Sequence, residues 1–155
     1  MPLLALAAMA VLAAPAVTIT YETTPCFGYC PVYRVTVNSD GSGVFEGMAH
    51  SRVQGVRRFR ITHGQFRAFV ARLAPARPAR GNISYGYDDR CQGAGAPPTD
   101  GASINVVWNE GGRRQRLHYY TGCSAPQVQR ALFEAPGLLP IGQWINPPRP
   151  DDGHG

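Results

Sequence analysis

The stretch Cys26-Phe27-Gly28-Tyr29-Cys30-Pro31-Val32-Tyr33 decides how this chain is built, because its two cysteines bracket a glycine and lead directly into a strand-like segment. Apolar residues alternate with polar ones both upstream, over 17–22, and downstream, over 32–37. This alternation is typical of strands with one buried face. The stretch therefore predicts a cysteine-bracketed loop that follows one strand and opens the next.

Further strands and two helices follow from the same reasoning. Asn38-Ser39-Asp40-Gly41 predicts a hairpin turn into a strand around 44–46, and 56–61 alternates again. A second hairpin over 104–119 turns at 109–112. Thr62 with Gln65, and Ser124 with Gln127, have the spacing of capping boxes, which predicts helices over 63–73 and 125–134.

Residues 74–102 hold four prolines and five glycines without periodicity, so we expect a long loop there, either functional or a linker pinned by Cys91. The fold class predicted is α+β, with a single antiparallel β-sheet of about five to six strands built from hairpins. One or two helices are expected to pack on this sheet, which two disulfides would stabilise.

Four cysteines, Cys26, Cys30, Cys91 and Cys123, form an even set typical of an oxidising compartment. Three connectivities are possible, and the closeness of the first two favours a local bridge, which leaves the last two to pair. A structural zinc site usually needs two close cysteine pairs, and Cys91 has no near neighbour. A redox-active Cys26–Cys30 pair is the alternative, although thioredoxin-type motifs have two intervening residues rather than three.

The first residues predict export. An apolar run over 3–14 is too short to cross a hydrocarbon core of about 30 Å as a helix. Small residues at 14–16 suit a signal peptidase. We therefore expect a signal peptide at 1–16, a single domain at 17–145, a disordered tail at 146–155 and a periplasmic or secreted location. No transmembrane segment is expected in the mature chain.

The net charge of +5, carried without a single lysine, favours anionic partners. Because an exported protein rarely meets nucleic acid, we expect an anionic envelope component or another envelope protein instead. Arg58 and Arg60 share one strand face, as do Arg114, Arg116 and His118. Adjacent strands would align these side chains into a basic stripe that holds phosphate or carboxylate.

No catalytic constellation is evident in the sequence. His50, His63 and His118 stand in no recognisable spacing with a serine or an acid, and no nucleophile elbow, zinc-protease motif or phosphate loop occurs. We therefore expect no catalytic residue, cofactor or metal. The leading hypothesis is an exported, non-enzymatic binding or envelope-associated module of unknown ligand, and the alternative is a thiol-disulfide redox protein using Cys26 and Cys30.

The motif C-x-G-x-C-P-x-Y at 26–33 resembles that of a bacterial family catalogued as domain of unknown function 6438. The Asp40-Gly41 turn, Gly47, the 119–123 ending and Trp144 extend this resemblance over about the whole mature region. The resemblance implies an exported or lipid-anchored protein without an established activity, cofactor or catalytic residue. Because no cysteine precedes Cys26, a lipid anchor is not expected here.

Overall fold

The structure, a computed structural model, describes residues 13–86, 91 and 100–146. Its strands are β1 (Val17–Thr23), β2 (Val32–Asn38), β3 (Ser42–Ala49), β4 (Gly55–Arg60), β5 (Asn82–Tyr85), β6 (Ser103–Glu110) and β7 (Arg113–Tyr120). Its helices are α1 (His63–Leu73), α2 (Pro126–Glu134) and α3 (Gly142–Ile145), with 3-10 turns at Ala74–Ala76 and Ala135–Leu138. The predicted signal peptide lies outside the described residues up to position 12, and the predicted tail does so from position 147.

All seven strands form one sheet in the order β4-β3-β2-β1-β6-β7-β5. Every neighbouring pair is antiparallel except β5 and β7, which run parallel. The α+β class is confirmed, but the expectation of a purely antiparallel sheet of five or six strands is wrong. The difference is β5, which lies within the segment expected to be a loop. Since β4 and β5 are opposite edges, α1 and its 3-10 turn carry the chain from one edge to the other.

One face of the sheet is the core and the other is open. The alternating apolar residues of the strands point toward the helices, as Ile19, Val35 and Trp108 show with 0–1% exposure. Phe69 of α1 and Leu132 of α2 pack into the same cluster. Buried apolar side chains of this kind each contribute about 1.5–3 kcal/mol to stability. Thr, Asn, Glu and Arg side chains occupy the alternate positions, which form the open face.

Helices α1 and α2 lie close to where the sequence predicts them, but only α1 begins with the predicted capping box. Thr62 caps α1 as predicted: its hydroxyl accepts from the Gln65 amide at 3.1 Å, and the Gln65 side chain accepts from the Thr62 amide. The capping box expected at Ser124 is wrong, because α2 starts at Pro126 with no side-chain cap. Proline suits this position because its fixed φ matches the helix and the first amide needs no partner.

The segment that follows β3 turns back and packs against Gly47, which lies within β3. The Ser51 hydroxyl donates to the Val53 carbonyl at 2.9 Å, and a β-carbon on Gly47 would collide with that same carbonyl. The Val53 amide donates to the Trp144 carbonyl at 3.0 Å, which ties α3 to the β3–β4 connection. Only glycine allows this close approach, so Gly47 positions both segments.

The two edges of the sheet differ in character. β4 exposes Arg57, Arg58 and Arg60, and pairs with β3 alone. β5 has only four residues and pairs with β7 alone. Within the described part of the chain, no helix is both long and apolar enough to cross a membrane.

Candidate functional site

Two disulfides lie at one end of the sheet. Cys26 and Cys30 form the first disulfide, with a Cα–Cα distance of 5.7 Å, and Cys91 and Cys123 form the second, with a Cα–Cα distance of 4.8 Å. The first bridges the β1–β2 connection, and the second follows the last residue of β7. Because β1 and β7 both run antiparallel to β6, their carboxyl ends meet at the same end of the sheet. The disulfides expected from the cysteine spacing are therefore present.

Hydrogen bonds hold both stems of the first disulfide loop. The Thr23 hydroxyl donates to the Pro31 carbonyl at 2.8 Å and accepts from the Tyr33 amide at 3.1 Å. On the loop itself, the Phe27 amide donates to the Asp100 carbonyl at 3.1 Å. The bridge and these bonds together fix the loop against the ends of β1 and β6.

This fixed loop presents two aromatic side chains to solvent. Phe27 is 90% exposed and Tyr29 is 87% exposed, and we call this pair the aromatic tip. Tyr29 meets the ring of His50 edge to face, with ring centroids 5.1 Å apart. Exposed apolar patches on a folded domain often mark contact sites for other molecules. Neither residue was predicted as part of a site, although both lie inside a five-residue cysteine ring that leaves them no room to reach a core.

The open face carries the arginines expected to form a basic stripe. Arg58 and Arg60 do lie on the open face, as do Arg114 and Arg116, but four strands separate β4 from β7. At about 4.8 Å per strand, the two pairs are about 24 Å apart. The expectation that their strands are neighbours is therefore wrong. Whether either pair binds anions stays a prediction.

The centre of the open face carries acidic side chains as well as an arginine. Arg34 contacts the Glu22 carboxylate at 2.6 Å and the Glu46 carboxylate at 3.3 Å. These exposed ion pairs contribute little to stability. Together these three side chains carry one net negative charge between the two arginine pairs, so the open face has two separate cationic regions rather than one stripe.

One of these regions is a concave patch at the edge of the sheet. Parallel pairing sets β5 beside β7, so that Asn82 lies next to Arg116 and Ser84 next to His118. We call these four side chains the β5–β7 patch. They line a depression of about 420 Å³, and His118 Nδ1 lies 2.8 Å from Asn105 Oδ1 on β6. Strand alternation predicted Arg116 and His118 on this face. Asn82 and Ser84 were not predicted, because the segment that forms β5 was expected to be a loop.

Other polar groups in the core region have structural partners. Arg77 donates from Nε to Gln115 Oε1 and from Nη2 to Glu110 Oε2, each at 2.7 Å. This hydrogen bond lowers the pKa of the Glu110 carboxyl below its usual value. Burial raises the pKa of the Tyr21 and Tyr33 hydroxyls well above their ordinary value. The Tyr21 hydroxyl donates to the Leu132 carbonyl at 3.1 Å, so it joins the sheet to α2.

Among residues 13–86, 91 and 100–146, no group of three His, Cys, Asp or Glu side chains is placed to hold a metal ion. His50, His63 and His118 lie apart: at the disulfide end, at the start of α1 and in the β5–β7 patch. Ser84 and His118 are neighbours on the open face, and no hydrogen bond joins their side chains in this structure.

Comparisons with known proteins agree with the resemblance drawn from the motif. No curated protein and no solved structure matches the chain. The sequence model of a family described as Domain of unknown function (DUF6438) matches residues 17–137. That span begins at the first residue of β1 and reaches the 3-10 turn after α2, so it includes the whole sheet and both disulfides. The chain therefore belongs to the DUF6438 family.

Proposed function

We propose that this protein is an exported, non-enzymatic binding module that contacts an envelope-associated partner through its aromatic tip. The observation that carries this proposal is the exposure of Phe27 and Tyr29, at 90% and 87%, on a loop closed by a disulfide. Disulfides are typical of proteins that work in an oxidising compartment, which supports export.

Two properties of the aromatic tip favour binding: its side chains can be buried by a partner, and its loop is already ordered. Transferring a large apolar side chain from water into an interface contributes about 1.5–3 kcal/mol, so two such anchors contribute about 3–6 kcal/mol. Aromatic residues are enriched among the residues that dominate binding energy. A loop already held by a bridge and backbone hydrogen bonds loses little entropy on binding, so more of this energy remains as affinity.

The experiment compares retention on isolated cell-envelope fractions between the wild type and the double variant Phe27→Ser/Tyr29→Ser. We expect the variant to lose at least about tenfold in retention while its unfolding midpoint hardly changes, since both side chains are exposed. Phe133→Ser is the matched control, because Phe133 is 50% exposed on α2 and lies outside the loop. Equal retention of the double variant and the wild type would contradict the proposal.

A second candidate, thiol-disulfide exchange at the first disulfide, has one observation in its favour. Cys26 and Cys30 are both only partly buried, whereas Cys123 is buried. Against it, residues 24–31 contain no helix, so the first disulfide lacks the helix N-terminus that lowers a thiol pKa in thioredoxin-type proteins. Thiol trapping across a glutathione series decides between the candidates: a pair that opens readily while the fold persists favours redox chemistry.

A further inference from the structure

The open face is not uniform, and one of its two cationic regions includes the β5–β7 patch. Arg34 on β2 forms ion pairs with two glutamates. Within the described residues, the open faces of β5, β6 and β7 carry no carboxylate, because Glu110 turns toward Arg77 on the core side. Arg116 is exposed and has no acidic partner in that set. Among the residues that the structure describes, Arg116 therefore presents a positive charge without an ion-pair partner.

Strand geometry gives the patch the size of one small anion. Neighbouring strands lie about 4.8 Å apart, and alternate residues on one strand lie about 6.7 Å apart. Arg116 and Asn82 form one side of this rectangle, and His118 and Ser84 form the other. The guanidinium, the amide and the hydroxyl all supply hydrogen-bond donors. Three of the four corners are therefore suited to the oxygens of an oxyanion.

The fourth side chain of the patch, His118, distinguishes between kinds of oxyanion. Asn105 presents Oδ1 to His118, so Nδ1 carries the hydrogen and donates to it. In the neutral imidazole, Nε2 is then an acceptor with a lone pair. An oxyanion that carries a hydrogen can donate to Nε2 while its other oxygens accept from the other three side chains. Sulfate and phosphodiesters carry no such hydrogen, so they would bring an oxygen lone pair against Nε2.

We propose that the β5–β7 patch is a binding site for hydrogen-bearing inorganic phosphate, which it distinguishes from sulfate and from phosphodiesters through His118. The site lies on the open face at the edge of the sheet opposite β4, and it does not depend on the aromatic tip. Binding phosphate and contacting an envelope partner are therefore separable activities, and either can fail alone.

The test is a titration of the ¹⁵N-labelled protein, followed by NMR at about pH 7.5, with ionic strength held constant by sodium chloride. The probes are sodium phosphate, sodium sulfate and dimethyl phosphate. We expect the backbone amides of Ser84 and His118 to shift saturably with phosphate, at a dissociation constant on the order of 1 mM. Sulfate and dimethyl phosphate should bind about tenfold more weakly, because neither carries a hydrogen to donate to Nε2. Long-range imidazole spectra of His118 report which nitrogen carries the hydrogen.

Matched variants separate a built site from diffuse charge. Arg116→Gln should weaken phosphate binding about tenfold, because it removes a charged hydrogen-bond donor. Arg114→Gln removes the same charge from the same face of β7, but β5 places no side chain beside it, so we expect less than about a twofold effect. His118→Gln should bring phosphate and sulfate affinities close together, because a glutamine amide both donates and accepts.

Three results would overturn the proposal. The first is an absence of saturable shifts with phosphate in the wild type. The second is wild-type binding of sulfate or dimethyl phosphate as tight as that of phosphate, which would indicate a general anion surface. The third is equal loss in Arg114→Gln and Arg116→Gln. The variant Phe27→Ser/Tyr29→Ser should bind phosphate as the wild type does, whatever its retention on envelope fractions.

Discussion

Removing each disulfide in turn should destabilise the protein by different amounts. The first disulfide joins residues 4 positions apart and the second joins residues 32 positions apart. A crosslink stabilises mainly by restricting the unfolded chain, more so for longer loops. On that basis, the free energy of unfolding should fall by about 2 kcal/mol in Cys26→Ser/Cys30→Ser. It should fall by about 3.7 kcal/mol in Cys91→Ser/Cys123→Ser.

The site of the second disulfide accommodates the substitution without a large packing penalty. Cys123 is buried, and its sulfur lies 3.2 Å from the Gly86 carbonyl oxygen. A serine hydroxyl at this position can donate to that carbonyl, so the new polar group is paired. The loss of stability should therefore report the crosslink rather than a buried unsatisfied hydroxyl.

The assay is urea unfolding followed by tryptophan fluorescence and circular dichroism. With a slope of about 2 kcal/mol per molar urea, the midpoint should fall by about 1 M without the first disulfide and by about 2 M without the second. The slope itself should rise in both variants because the unfolded chain expands further. If losing the first disulfide lowers the midpoint as much as losing the second, loop length does not set the stabilisation and the reasoning is refuted.

Three further outcomes are expected. Gly47→Ala should lower the free energy of unfolding by about 1–3 kcal/mol, because the new β-carbon would meet backbone atoms. The control Gly64→Ala, in α1, should leave stability unchanged or raise it. Similar urea midpoints for the two variants would contradict this prediction. Because their pKa values are raised, Tyr21 and Tyr33 stay neutral in the folded state at a pH where unfolded tyrosines ionise. The free energy of unfolding should therefore fall as pH rises above about 10. Tyrosinate absorbance that develops fully before the protein unfolds would contradict this prediction. Both disulfides should resist glutathione together in thiol trapping, and selective opening of the first disulfide would instead favour redox function.

Local patterns predicted most of the sheet correctly. Period-2 alternation located β1, β2, β3, β4, β6 and β7, because one face of each strand packs on the core and the other faces water. β5 was missed because its four residues lie among prolines and glycines, and its pairing with β7 is a contact between distant parts of the chain. A parallel partner leaves no turn signal in the sequence.

The candidate sites show the same limit. The cysteine spacing predicted the first disulfide, and strand alternation placed Arg58 and Arg116 on the correct face. Strand order, however, depends on β1 inserting between β2 and β6, which no local pattern encodes. The arginines predicted to form one basic stripe therefore lie in two separate regions. The β5–β7 patch could not be predicted, because it depends on the parallel pairing that sets Asn82 and Ser84 beside Arg116 and His118.

The arginines of β4 have a consequence for how copies of this protein behave toward one another. An unpaired edge strand is a template on which a second identical strand can add, extending the sheet between molecules. Two copies of β4 paired antiparallel about their centre would set Arg57 or Arg58 of one copy directly opposite an arginine of the other. Like charges in that position repel. The edge thus acts as a barrier to polymerisation, so crowded solutions of the folded protein should resist conversion into fibrils that grow from β4.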